Sequence, residues 1–461
     1  MKLFNYNSTV IDEHGFEYKV SEILRDGDVV FSNIPPGSLV LLLCQNNVDS
    51  LFFYINCIER KVVPILIDAQ SDYSLFENII ERYNPDVIFA PTLISNYFSN
   101  YNSVINCNSY SIISNGQKFN AKLDPSLSLL LSTSGTTGSP KLVRLSYSNL
   151  VSNASSICKY LSIVESDRAI SNLPMNYSFG LSIINSHLFM GGSIVMTTES
   201  ITQRRFWSLF QKFNVTSLSG VPYTFEILKK FRLLNIDLLS LKKITQAGGK
   251  LSNELIEYFA DFAKAKGIDF FVMYGQTEGT ARLSYLPTES IKNKLGSIGR
   301  PIPGGKFHLI NSKNIKINEP GISGELIYTG PNVMLGYAES IGDLLLGDVN
   351  KGTLNTGDIA YYDAEGYYYI VGRIKRFIKI FGNRVNLDEL ELILKKAAVD
   401  SACVGKDNLL LVYLLNEGGI TTAKDLLSKK LGIHHSAIEI RIIHEFPRSE
   451  SGKILYSKLG L

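Results

Sequence analysis

The chain predicts an α/β protein with a large N-terminal domain and a small α+β C-terminal domain. The large domain is built from parallel βα subdomains plus a β-rich subdomain. Three observations predict this. Short apolar runs alternate with helical patterns over roughly the first 125 residues, the mark of a parallel sheet covered by helices. After about residue 295, Gly, Pro and aromatic residues dominate, as expected of short strands and tight turns. Beyond Gly372-Arg373, a capped amphipathic helix opens a stretch with its own strand pattern.

Taken in order, 39–43 is a continuous apolar run and reads as a buried strand, 48–58 as a helix, and 62–67 as the next strand. Strand signals recur at 87–90, before Pro91, and at 127–131. Ser146 or Ser148 caps a helix running to about Leu161, since a short side-chain oxygen satisfies free N–H groups at a helix start. Further βα units fall near 192–196, 215–218 and 270–273. The β-rich part holds 299–305 and 324–328, and closes with the strand 367–371. In the small domain, Asn386 is placed as N-cap with Glu389 three residues on, a capping-box spacing. Leu387, Leu390, Leu394 and Ala397 form that helix's apolar face. Strands at 409–415 and 438–443 flank a helix near 423–431.

Composition excludes several classes. A length of 461 residues exceeds what one core usually organises. A net charge of +3 gives no reason to expect nucleic acid. Five scattered cysteines without a C-x-x-C pair argue against a disulfide framework and a zinc site. The opening residues turn polar before a signal-peptide core could form, no apolar run approaches a membrane span, and the internal Ser457-Lys458-Leu459 is not terminal. The expected location is cytoplasmic.

The stretch after 127–131 carries the chemistry: Ser132, Thr133, Ser134, Gly135, Thr136, Thr137, Gly138, Ser139, Pro140 and Lys141. Gly135 and Gly138 permit backbone angles that aim successive N–H groups at an anion. The hydroxyls add donors and Lys141 a positive charge, so the loop is suited to phosphate. It is not a Walker A loop, because the two glycines are too close and Pro140 precedes the lysine. Any four of these residues would pass for a solvated turn; the ten together do not. Further on, Tyr274-Gly275-Gln276-Thr277-Glu278-Gly279 follows a strand. There Tyr274 can offer a ring face to a base, Thr277 a donor to phosphate, and Glu278 a hard oxygen ligand to Mg²⁺. Asp358, after Gly357, can accept two hydrogen bonds from a vicinal diol.

These segments, in this order, resemble the adenylate-forming enzymes: acyl-CoA synthetases, aryl-acid ligases, luciferases and peptide-synthetase adenylation domains. The resemblance runs from near residue 35 to 461. It implies that Gly248 and Gly249 lie against adenine, and that Asp358 and Arg373 hold the ribose. Lys375 falls at a hinge near 373–376, between a domain of residues 1–372 and a mobile one of 373–461. Lys453, in Pro447-Arg448-Ser449-Glu450-Ser451-Gly452-Lys453, corresponds to a lysine that enters the site during adenylation. The implied reaction is activation of a small carboxylic acid by Mg·ATP as acyl-AMP, followed by transfer to CoA or to a phosphopantetheine carrier such as a stand-alone acyl carrier protein. An amine or hydroxyl acceptor, or a nucleotide-binding homologue without catalysis, remains open.

One departure stands out. In Leu173-Pro174-Met175-Asn176-Tyr177-Ser178-Phe179-Gly180, Tyr177 occupies the place where the family usually has histidine. Tyrosine keeps an aromatic face and a hydroxyl donor but carries no positive charge. No Asp or Glu occurs between 168 and 198, which disfavours a free α-amino acid. The implied acyl pocket (Tyr177, Phe179, Gly180, Gly220, Val221) reads as neutral and partly apolar, suited to a fatty, short acyl or aryl acid.

Overall fold

A computed structural model describes residues 2–98, 103–114, 123–132, 141–231, 236–381, 383–430, 433–448 and 454–460. The chain forms two compact units, Met1–Lys306 with Thr329–Leu354, and Phe307–Tyr328 with Asn355–Leu461.

The first unit contains two sheets. One has eight strands in the order Gly336–Ala338, Leu142–Ser146, Leu127–Ser132, Val63–Asp68, Leu39–Cys44, Val87–Pro91, Tyr110–Ser114 and Ser103–Cys107. Its four central strands from Leu127–Ser132 to Val87–Pro91 are parallel. Every residue of Leu39–Cys44 is buried, which explains a continuous apolar run instead of an alternating one. Pro64 sits in a central strand without breaking the ladder to Leu127–Ser132, because that pairing begins at Ile65. The second sheet has nine strands: Arg300–Pro301, Ser284–Leu286, Asp269–Tyr274, Lys243–Gln246, Ser217–Gly220, Arg168–Ile170, Ser193–Val195, Thr9–Ile11 and Glu17–Lys19. Helices Val48–Glu59, Tyr147–Leu161 and Ser178–Met190 bury their apolar residues in the core that joins the sheets.

Ser146 is the cap of the helix Tyr147–Leu161; its Oγ accepts from the Asn149 amide at 3.1 Å and Asn149 returns the bond. Two features differ from the sequence reading. The segment 133–141 joins two antiparallel neighbours, with Ser132 paired to Leu142, so a strand intervenes before the helix. An antiparallel hairpin, Ser103–Cys107 with Tyr110–Ser114, closes the edge of the parallel sheet.

The second unit holds a five-stranded sheet, in the order Lys316–Ile317, Lys306–Ile310, Gly324–Thr329, Thr353–Tyr362, Tyr368–Arg373. It also holds a three-stranded sheet of Ser401–Lys406, Leu409–Leu414 and Ile438–Ile442. Helix Leu387–Lys396 buries Leu387, Leu390 and Leu394 in this unit's own core. Asn386 caps it, but through the Asp388 amide at 3.0 Å rather than a reciprocal box with Glu389. Its carboxamide also donates to the Val371 carbonyl at 3.0 Å, which fixes the side chain in this shared position.

All five cysteines are free. Burial pushes their thiols upward, Cys158 to about 12. Among the described residues, no helix is long and apolar enough to cross a membrane.

Candidate active site

The expected phosphate-loop residues Thr133, Ser134, Gly135, Thr136, Thr137 and Gly138 lie outside the described residues, as does Lys453. What frames the loop is described. Lys141 at its end pairs with Glu339 at 3.4 Å and places its ammonium 3.9 Å from the centre of the Tyr337 ring. The Tyr337 hydroxyl in turn donates to Glu278 Oε1 at 2.7 Å. Burial and the Glu278 charge push that hydroxyl upward, so it stays a neutral donor. The foot of the loop and the carboxylate expected at Mg²⁺ are thus joined through one aromatic side chain.

Glu278 lies in a tight turn after strand Asp269–Tyr274. At Gly275 a Cβ would sit 1.7 Å from the Ala281 carbonyl oxygen, so only glycine lets the two backbone segments meet. Thr277 Oγ1 lies 3.1 Å from Ser178 Oγ. Thr280, with φ of +66°, donates to the Asn332 carbonyl at 2.6 Å. Asn332 donates back to the carbonyls of Gly279 at 2.8 Å and Arg282 at 3.0 Å. Residues 332–337 therefore clamp the turn from outside, and the rotamer of Glu278 is held from the same stretch.

Tyr177 precedes the helix Ser178–Met190, whose first turn holds Phe179 and Gly180. The chain leading to it is fixed by Asn46, which donates to the carbonyls of Ser171 and Leu173 at 3.0 Å and accepts from the Met175 amide at 2.9 Å. Tyr177 and Phe179 meet edge to face at 6.2 Å. Gly248 adopts φ of +84°; a Cβ there would come within 2.6 Å of the Tyr177 hydroxyl and 3.0 Å of Val221. Gly220 ends strand Ser217–Gly220 immediately before Val221. The Gly249 carbonyl accepts from the buried Gln246 amide at 2.9 Å. Tyr177, Phe179, Val221 and Gly248 thus converge on one wall. Burial pushes the Tyr177 hydroxyl up to about 12, against the pull of the Arg282 charge.

That charge lies behind the Phe179 ring. Arg282 is 1% exposed, and its guanidinium carbon lies 3.9 Å from the centre of the Phe179 ring.

In the second unit, Asp358 and Arg373 stand opposite one another on adjacent antiparallel strands, with Arg373 Nε 3.1 Å from Asp358 Oδ1. Asp358 is buried while Arg373 reaches outward. Gly357, at φ of +73°, turns the chain into Asp358. Lys375 belongs to the single turn Ile374–Arg376. Next to it, Arg376 donates to Asp388 at 2.7 Å, to Glu391 at 2.6 Å and to the Cys403 carbonyl at 2.6 Å. Tyr456 lies under that guanidinium at 3.8 Å and donates to Glu391 at 2.8 Å. The ends of the Lys453 segment are tied by the bridge Arg448–Ile454 and by the Leu455 N–H, which donates to the Pro447 carbonyl at 2.7 Å.

A family model described as AMP-binding enzyme matches residues 31–338. The chain belongs to the AMP-binding enzyme family. One relative in it, luciferin 4-monooxygenase of Nipponoluciola cruciata, is 30% identical over 347 residues, covering 71% of this chain. The match spans 62% of that enzyme's length, under two thirds. The 2-succinylbenzoate–CoA ligase of Bacillus cytotoxicus is 26% identical over 94% of this chain and 90% of its own. The O-succinylbenzoate coenzyme A synthetase of Bacillus subtilis, solved with AMP, superposes with a TM-score of 0.80 at 22% identity, covering 99% of this chain and 96% of its own. That likeness concerns the fold.

Within this AMP-binding enzyme, sequence reading missed Asn46, Arg282, Asn332 and Tyr337. Each reaches the site through long-range contacts, between 50 and 129 residues away for the bonds of Asn332 to Arg282, Tyr337 to Glu278 and Asn46 to Met175. No local pattern announces such partners.

Proposed function

We propose that this protein activates a carboxylic acid with ATP and passes the acyl group to a thiol. In the first step a carboxylate oxygen attacks the α-phosphorus, forming acyl-AMP as the bond to pyrophosphate breaks. In the second, a thiol sulfur attacks the acyl carbonyl and AMP leaves with its phosphate oxygen. The observation that carries the reading is the Lys141–Tyr337–Glu278 linkage beside Thr277, within a chain of the AMP-binding family.

In this reading Thr133 to Gly138 and Lys141 hold the phosphates, and Tyr274, Gly275, Gly248 and Gly249 the base. Asp358 and Arg373 hold the ribose. Glu278 is a fitting single carboxylate for Mg²⁺: Oε1 is oriented by Tyr337, and Oε2 has no hydrogen-bond partner among the described residues. Mg²⁺, when bound there, offsets phosphate charge. A cation of this kind keeps most of its ligands as water and phosphate oxygens, so one protein carboxylate suffices. Thr277 and Lys453 stabilise charge on the transferred phosphoryl group, and Tyr177 borders the acid.

The two steps use two positions of the domain 373–461, turning near Lys375. CoA is the favoured acceptor, supported by relatives named as CoA ligases; a stand-alone carrier protein is the alternative thiol. Both substrates suit a cytoplasmic setting.

The test is ATP–pyrophosphate exchange with a panel of acids, run with and without Mg²⁺ and without any acceptor. Exchange that depends on both acid and Mg²⁺ is expected, followed by thioester formation on addition of CoA. Tight ATP binding with no exchange for any acid would sink the reading in favour of a nucleotide-binding homologue.

A further inference from the structure

The other deeply buried cations of the described residues are well compensated. Lys243 meets Asp167 at 2.6 Å. Arg376 is held by two carboxylates. Arg144 donates to the backbone carbonyls of Leu335, Tyr337, Leu346 and Gly347. Arg282 has neither kind of partner. Its Nε and Nη2 both donate to one hydroxyl, Ser182 Oγ, at 3.3 and 3.1 Å, and its Nη1 to the thioether of Met273 at 3.0 Å. Met273 already accepts from Tyr160 at 3.1 Å. No Asp or Glu pairs with Arg282 among the described residues.

A guanidinium has five N–H donors in a rigid fork and does not give up its proton in proteins. Enclosing it against a sulfur and an aromatic face is strongly unfavourable unless an anion compensates. Phe179 touches both this cation and the wall where Tyr177, Val221 and Gly248 meet: its face lies against the guanidinium, and its Cδ1 is 3.8 Å from the position of a Cβ on Gly248. Only one ring separates the charge from the acyl pocket.

We propose that the acid taken by this site carries a second anionic group, a carboxylate or sulfonate remote from the reacting carboxylate, and that Arg282 binds it as a specificity-determining residue. This deepens the reading above and rests on it. The fork matches either anion through two parallel N–H···O bonds. The remote anion reaches the guanidinium as the Phe179 ring turns aside, exchanging a cation–π contact for an ion pair. The same enclosure that makes the cation costly when unpaired makes the pocket reject an uncharged tail.

The experiment compares matched acids on the wild-type enzyme by ATP–pyrophosphate exchange: butanoate against succinate, hexanoate against adipate, and propanoate against sulfoacetate. The member with two anions is expected to be preferred in kcat/KM by on the order of 10²–10³, the loss usual when one partner of a buried charge pair is removed. Arg282→Gln should erase the preference, with KM for ATP unchanged; Arg282→Lys should restore part of it by returning charge without the fork. Preference for the uncharged tails in wild type, or an unchanged preference in Arg282→Gln, overturns the assignment of Arg282 while leaving adenylation intact. No exchange with any acid overturns this inference together with the reading beneath it. If neither variant folds, the wild-type panel alone decides.

Discussion

Replacing Tyr337 with phenylalanine isolates one bond in the candidate site. The ring is kept, and with it the contact to Lys141; what goes is the O–H that meets Glu278 Oε1 at 2.7 Å. A hydrogen bond to a charged group contributes about 1.5–3 kcal/mol net. The donor is half-buried, so the lower half of that range applies, about 1.5–2 kcal/mol. If Glu278 acts at Mg²⁺, the loss appears as a rise in the Mg²⁺ concentration needed for half-maximal exchange and a fall of about 10–30-fold in kcat/KM for adenylation. AMP binding without Mg²⁺ should be unchanged, and the pH profile should not shift, because the Tyr337 hydroxyl is held above its ordinary range. The assay is pyrophosphate exchange across a Mg²⁺ titration, with calorimetry of AMP as control. An unaltered Mg²⁺ requirement in folded Tyr337→Phe protein would refute the reasoning and leave Tyr337 a packing residue.

Four further expectations follow from other positions. Asp358→Ala should weaken ATP and AMP by roughly 10–100-fold through lost charge-assisted bonds to the ribose, leaving the acid's affinity alone; calorimetry on the folded variant checks it. Lys453→Ala should lower acyl-AMP formation by roughly 10²–10³ while sparing thioester formation from supplied acyl-AMP; equal losses in both half-reactions would remove its role. Lys375→Pro fixes a backbone angle and deletes a donor, so acyl-AMP should accumulate and thiol transfer fail in single-turnover runs, whereas normal transfer would mean no rotation is needed there. His187 is buried, its Nδ1 bonded to the Ile183 carbonyl at 2.9 Å and its Nε2 without a partner among the described residues, and burial lowers its pKa from 6.5 to about 4. The folded state therefore binds fewer protons: its contribution is full above about pH 6.5 and is lost as pH falls toward 4, up to about 3 kcal/mol. Urea denaturation at pH 7 and 4.5 should show a smaller difference for His187→Leu than for wild type; an equal difference would clear His187 of the effect.

The elements nearest these residues were legible for a simple reason. Leu39–Cys44 is buried along its whole length and so is written as an unbroken apolar run, and Leu127–Ser132 buries each of its leucines, while Ser146 and Asn386 cap helices with side chains that have few other uses at those places. Asp358 and Arg373 lie 15 residues apart, and the strand pairing that joins them follows from the turn between them. Tyr337 and Asn332 behaved differently. Their partners lie in another element, and only the packed sheet brings Gly336–Ala338 beside Leu142–Ser146 and so close to the turn at Glu278. Arg282 was illegible in a further way: a sequence shows that a cation is present, not that its surroundings lack an anion.

The state of the thiols bears on any enzyme that holds an activated acyl group. An acyl-adenylate reacts readily with thiolate, and an enzyme's own cysteines are one supply of it. Here Cys44, Cys57, Cys158 and Cys403 are buried and Cys107 is half-buried, each with its thiolate disfavoured by burial. In the proposed reaction such burial would shield the chain from acylating itself. The same silence is useful at the bench. A single cysteine introduced on the surface would stand out against this background to maleimide dyes, spin labels and cross-linkers, so that the proposed movement of the 373–461 segment can be tested without first stripping the protein of its native thiols.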